Sequence, residues 1–262
     1  APEVWALGFD GTGVLVATVD TGADGTHPAL ASRWAGLLPA YEGHPEWAWF
    51  DPFTGDDEFP FEGSLTSHGT HVTATVCGGP PGDPVGVAPG ARWIAAGSID
   101  RGGGIETTVA DAIASFEWLI DPDGDPATVF DVPHVVSNSW GLREAFGYPD
   151  CDELFWSFID ALESAGTVVL FAAGNEGAGG LRRPADRATD DYRTLAVAAV
   201  DAGDPSFPVA AFSSRGPTTC TPDGGPAIKP DVAAPGVGVR SAVEGGGYEA
   251  KSGTSMATPH VA

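Results

Sequence analysis

The chain has 262 residues, of which 42% are hydrophobic and 18% charged, so it can bury a substantial core and fits one large α/β domain or at most two small ones. With 36 acidic against 12 basic residues its formal charge is −24, roughly one uncompensated negative charge per 450 Å² of expected folded surface. Such a surface repels nucleic acid and anionic lipid and excludes binding through a basic patch. No apolar run is long enough for a membrane span.

In chain order, Val14–Val19 is a short apolar run between Gly13 and Asp20-Thr21-Gly22 and reads as a buried strand. Ala35–Ser67, rich in Pro, Gly, Trp and acidic residues without a clean period, reads as a surface insertion. A helix is expected from His68 through Val76, and Ala91–Ile99 reads as the next strand. In Glu106–Ile120, Val109, Ala112, Ile113, Phe116, Leu119 and Ile120 share one helical face. Val135–Asn138 is a strand, and Leu154, Phe155, Phe158 and Leu162 mark another amphipathic helix. Thr167–Ala173 and Leu195–Val200 are further strands, and Gly203–Lys229 is a Pro/Gly/Ser/Thr-rich loop. Strands alternating with helices imply an α/β fold with a mostly parallel sheet covered on both faces. Ligands of such sheets bind beyond the carboxyl ends of the strands. That rule directs attention to Asp20, Ser139-Trp140-Gly141 and Gly174-Asn175.

Cys77, Cys151 and Cys220 lack a CxxC spacing, so zinc is not indicated, and an odd count allows at most one disulfide within the chain. No initiator Met or basic-apolar leader stands at Ala1, so any signal peptide or pro-segment is expected to have been removed or never included.

Acyl transfer by serine needs a hydroxyl nucleophile, an imidazole base, a carboxylate that orients the imidazole, and donors for the oxyanion. Asp20 follows a buried strand and would be held by a rigid element. His68 stands in Ser67-His68-Gly69-Thr70-His71-Val72; His68 and His71 could suggest metal, but the H-E-x-x-H pattern is absent. Ser255 stands in Gly253-Thr254-Ser255-Met256-Ala257-Thr258-Pro259-His260, at the start of a helix whose dipole and amide would face an incoming oxyanion. Asn175, in Ala172-Ala173-Gly174-Asn175, could supply a second donor. Taken singly, each also has a bland reading as a cap or turn residue.

In order along the chain, Val-Asp-Thr-Gly, His-Gly-Thr-His-Val, Ala-Ala-Gly-Asn and Gly-Thr-Ser-Met-Ala-Thr-Pro-His-Val-Ala resemble the subtilisin-type serine proteases. Phe212-Ser213-Ser214-Arg215-Gly216-Pro217 and Lys229-Pro230-Asp231 with Ala234-Pro235-Gly236 extend the resemblance, and Trp5–Gly13, Gly86–Ala91 and Ser137–Gly141 point to one branch of that family.

The resemblance implies a three-layer fold with Asp20, His68 and Ser255 as triad and Asn175 as oxyanion donor. It makes Ser139, Trp140 and Gly141 one wall of the primary specificity pocket, and Ala172, Ala173 and Gly174 the facing wall. It also makes Asp100, Arg101, Gly102, Gly103 and Gly104 an edge strand that pairs with substrate by β-augmentation. The chain is then expected to be a secreted endopeptidase, extracellular and monomeric. Its partners would be polypeptide substrates, with no nucleic acid and no membrane, and the chemistry would require no cofactor.

Three departures stand out. Gly78–Val85, where the family carries a calcium loop, holds Gly and Pro with Asp83 as the lone carboxylate. Gly177–Asp191, which closes the specificity pocket, carries Arg182, Arg183, Pro184 and Asp186, leaving the preferred residue open. The chain stops at Ala262, where the family continues the helix, so residues 1–262 are expected to be a peptidase catalytic domain that is incomplete at its C-terminus. Independently of catalysis, Asp121, Asp123 and Asp125 alternate around Gly124 as in calcium loops. A full EF-hand pattern is absent, and an acidic turn and a structural calcium site both remain open.

Overall fold

The computed structural model describes residues 1–79, 83–189 and 194–262. Part of the Gly78–Val85 loop and the end of the Gly177–Asp191 loop lie outside the described residues. The fold is α/β, and seven strands, β1–β7, belong to one sheet. The chain forms two compact units, Ala1–Val136 with Arg240–Glu249, and Ser137–Val239 with Ala250–Ala262.

The first unit opens with a short helix, α1 (Pro2–Trp5), then β1 (Leu15–Asp20), β2 (Trp49–Phe50), α2 (His68–Cys77), β3 (Arg92–Gly97) and α3 (Ile105–Ile120). Strand order is β2-β3-β1, all parallel, with Leu15 opposite Arg92 and Asp20 opposite Gly97. Every residue of β1 is buried, so both its faces are covered, as a parallel strand requires. In α3, Val109, Ala112, Phe116 and Leu119 are buried as the periodicity predicts, while Ile113 and Ile120 are half-buried. Most of β8 (Val239–Val243) and β9 (Gly247–Lys251) also belongs here and forms a separate hairpin.

The tryptophan-rich segment 35–67 differs from expectation. It contributes β2 and several 3-10 turns, and Tyr41, Ala48, Trp49 and Asp51 are buried. Trp49 can be buried because its indole N–H donates to the Asp56 carbonyl at 2.8 Å, and the neighbouring Trp34 donates to the Ala48 carbonyl of the segment at 3.2 Å.

The second unit holds α4 (Trp156–Ser164), β5 (Val168–Ala172), β6 (Leu195–Val200), β7 (Val232–Pro235) and α5 (Thr254–Val261). Strand order is β5-β6-β7, again parallel. The chain passes from one unit to the other within β4 (Val135–Asn138). Leu154 and Phe155 precede α4 rather than lying on its face; Phe155 is buried, while Leu154 is 38% exposed. The loop 203–229 is likewise tied inward, with Ser213, Ser214, Thr218, Cys220 and Lys229 buried.

Cys151 and Cys220 form a disulfide. Cys77 remains a buried thiol, and burial pushes its pKa up to about 12, which keeps it protonated and unreactive. Ala257 of α5 packs with Val197, Ala199, Ala210 and Ala234. Small side chains let this short helix sit close on β6 and β7.

Candidate active site

Asp20 is the last residue of β1 and is fully buried. Its Oδ1 accepts the Thr21 N–H at 2.8 Å and lies 2.7 Å from His68 Nδ1. With Asp20 Oδ1 as acceptor, Nδ1 is the donor, which in a neutral imidazole leaves Nε2 as the acceptor. His68 is the first residue of α2, behind Ser67 in a left-handed conformation (φ 51°), and its side chain stays 28% exposed. The buried end of the pair is fixed and the other end reaches the surface.

A network absent from the sequence reading holds α2 onto the turn after β1. Glu62, from the tryptophan-rich segment, accepts Thr21 Oγ1–H at 2.7 Å through Oε1. Its Oε2 accepts the Thr70 N–H at 2.9 Å and the Thr70 hydroxyl at 2.8 Å. Thr21 Oγ1 in turn accepts the Gly69 N–H at 2.8 Å. A Cβ on Gly69 would lie 2.0 Å from the Gly22 carbonyl oxygen, so glycine is obligatory at this contact. Glu62 stands 41 residues from Thr21, and no local pattern marks it. His71 is buried, with Nε2 3.2 Å from the Glu249 carbonyl, and does not join His68 in a metal cluster among the described residues.

In the second unit, Ser255 is the second residue of α5, behind buried Gly253 at φ +159°. Its hydroxyl donates to the Ser139 carbonyl at 2.9 Å, and the Ser139 hydroxyl donates back to the Ser255 carbonyl at 2.9 Å. The Thr254 N–H, which can only donate, lies 2.9 Å from Asn175 Oδ1, and the Thr254 hydroxyl donates to the same atom at 3.1 Å. These bonds settle the amide orientation: Oδ1 is engaged, and Nδ2 is the end left to donate. Nδ2 lies 3.6 Å from where a Cβ on Gly253 would sit, beside the residue that precedes Thr254-Ser255. Thr254 thus fixes the Asn175 side chain, and its only sequence signal is its place before Ser255.

Ser139, Trp140 and Gly141 follow β4, while Ala172 closes β5 and leads into Ala173 and Gly174. Trp140 turns away into the core, edge-on to Phe155 and Phe171. Arg182 packs its stem against both glycines: a Cβ on Gly141 would lie 2.7 Å from Arg182 Cβ, and one on Gly174 2.8 Å from Arg182 Cγ. Its guanidinium donates to Glu176 from Nε at 3.1 Å and Nη2 at 2.7 Å, with Arg143 3.6 Å from the same carboxylate. Burial opposes ionisation of Glu176, but the Arg182 hydrogen bond and charge and the Asn175 N–H outweigh it and hold its carboxyl below the ordinary range.

Two expected groups of site residues are arranged differently. Residues Asp100–Gly103 are bends with Asp100 at φ 51°, and Gly104 caps α3 in extended backbone, so none of them lies in a strand. Arg101 is buried and donates to Gly97 O and Asp51 Oδ2, both at 2.8 Å, so its side chain is spent on the fold. In the acidic loop, the structure gathers Asp121 and Asp123 with Asp131, not with Asp125. Asp125 is exposed, and its carboxylate accepts the Ala127 N–H at 3.0 Å. The alternation that suggested Asp125 is the signature of this local turn.

The first unit thus holds a buried aspartate bonded to a half-exposed histidine at a strand end, and the second holds a serine at a helix start beside an oriented amide. In comparison with known proteins, residues 11–262 match the Subtilase family, and the chain belongs to that family. It is 38% identical over its whole length to bacillopeptidase F of Bacillus subtilis, 31% to subtilisin E of the same species and 32% to thermitase of Thermoactinomyces vulgaris. It spans 18%, 57% and 76% of those proteins respectively.

Proposed function

We propose that this chain is the peptidase unit of a secreted serine endopeptidase that cleaves polypeptides. The supporting observation is the 2.7 Å contact between buried Asp20 Oδ1 and His68 Nδ1, which sets the tautomer a general base needs. In this reading His68 removes the Ser255 proton as Oγ attacks the scissile carbonyl. The Ser255 amide and Asn175 Nδ2 stabilise the oxyanion, and His68 then protonates the leaving amine. Water, activated by His68, then attacks the acyl-enzyme ester; the Ser255 Oγ–acyl bond breaks, the carboxylic acid product leaves and His68 returns the proton to Oγ. Side chains, one backbone amide and water supply every part of this chemistry, and no cofactor is required.

Secretion is supported by the Cys151–Cys220 disulfide, since such bonds persist in oxidising compartments. Among the described residues no helix is long and apolar enough to cross a membrane.

In the same reading Gly141 and Gly174 wall the slot for the residue before the scissile bond, and Arg182 narrows it. Arg182→Ala is then expected to raise kcat/KM for substrates with leucine or phenylalanine there by about 10–100-fold. The test of the main reading is hydrolysis of an unfolded protein substrate. Ser255→Ala should lower kcat by about 10⁶-fold, the size found when the nucleophile of a serine protease is removed. Unchanged hydrolysis would refute it, and peptide binding without any turnover in the parent chain would make it a peptide-binding scaffold.

A further inference from the structure

The loop between α3 and β4 plays no part in the catalytic reading, yet it holds a concentration of buried charge. Asp121, Asp123 and Asp131 each bring a carboxylate oxygen within 4.8 Å of the other two. Asp131 is fully buried. Its Oδ2 accepts the Asp123 N–H at 2.8 Å, while its Oδ1 has no hydrogen-bond partner. The hydroxyl of buried Tyr41 is also without a partner, and its proton is held first by burial and then by the charges of Asp131 and Asp123. The Tyr41 ring packs edge-on against Phe130, the residue before Asp131, with centroids 5.2 Å apart.

The groups around Asp131 have its own sign. Burial raises its pKa, the Asp123 and Asp131 N–H groups oppose that, and the Asp123 and Asp121 charges raise it further. A buried carboxylate with an unsatisfied oxygen and two neighbouring carboxyl groups is costly until a proton or a cation neutralises it, and a cation would serve all three at once. Two oxygens bound to one calcium ion at about 2.4 Å can be no more than about 4.8 Å apart, so the three carboxylates are close enough to share one ion. The donors are all oxygen, which favours a hard cation over zinc or copper.

We propose that Asp121, Asp123 and Asp131 form a calcium site. The ion would pin the end of α3 to the segment entering β4, the strand that runs on into Ser139. This inference does not depend on the catalytic reading.

The test uses the whole chain carrying Ser255→Ala, to prevent self-digestion, stripped of metal and titrated with calcium chloride by calorimetry at constant ionic strength. Asp131→Asn keeps an acceptor for the Asp123 N–H and removes the charge. It should bind one calcium fewer per chain, or bind it more than about tenfold more weakly, and its melting temperature should rise less on adding calcium. Terbium, excited through the nearby aromatic rings, should luminesce in the parent and lose that signal in the variant. Asp121→Asn, on the half-exposed side of the cluster, carries the test if Asp131→Asn fails to fold. Equal calcium stoichiometry, affinity and melting shifts in parent and variants would overturn the proposal.

Discussion

Asp20 and Asp131 are both fully buried, and each leaves one carboxylate oxygen without a hydrogen-bond partner. They differ in what faces the other oxygen and in the sign of their neighbours. Asp20 meets the Thr21 N–H and an imidazole that can carry positive charge. Asp131 meets one N–H and two further carboxylates. Burial alone therefore does not define a catalytic carboxylate. An aspartate facing a titratable base can stabilise charge that appears during a reaction, whereas one facing its own sign must be neutralised by a proton or a cation.

The comparison can be broken from either side. Asp20→Asn should lower kcat by about 10⁴-fold, because the amide favours the wrong imidazole tautomer; the check is a kcat measurement beside a melting curve, and a loss traceable to unfolding would remove Asp20 from the mechanism. Asn175→Ala should lower kcat by about 10²–10³-fold with KM little changed, since its Nδ2 acts on the transition state. A rise in KM at constant kcat would instead make Asn175 a ground-state binding residue.

Glu62→Ala should destabilise the chain by about 2–4 kcal/mol, by leaving the Thr21 and Thr70 groups without their acceptor inside the protein. Because the same network seats the start of α2, kcat should fall with it, and Glu62→Gln should recover most of both. Denaturant unfolding together with kinetics reads the two effects. The smallest effect concerns the surface. With a net charge of −24, raising NaCl from 0.1 M to 1 M shortens the screening length from about 10 Å to about 3 Å and should raise the melting temperature by several degrees. A flat curve would leave solubility as the only role of that charge.

The sheet and the local settings of the candidate residues were legible because each depends on local sequence. β1 is an apolar run that ends at Asp20, α3 shows its helical period, and Ser255 sits in a ten-residue motif. What was not legible depends on distant partners. Glu62 works through Thr21 and Thr70, in elements far from its own local pattern. Segment 35–67 reads as a loop because nothing local shows that Trp49 will find the Asp56 carbonyl and pack inside. Asp131 lies eight residues beyond Asp123, outside the alternation that drew attention to Asp125. Asp100–Gly104 looked like an edge strand only by resemblance, and Arg101 is drawn inward by Asp51, fifty residues away.

The central claim is that Ser255 is a nucleophile activated by His68. A fluorophosphonate reacts with a serine whose proton is being removed, so mass spectrometry of the labelled chain tests this directly. The account predicts one adduct per chain, on Ser255, lost in Ser255→Ala and strongly slowed in His68→Ala. No adduct, an adduct on another residue, or equal labelling of parent and Ser255→Ala would contradict it.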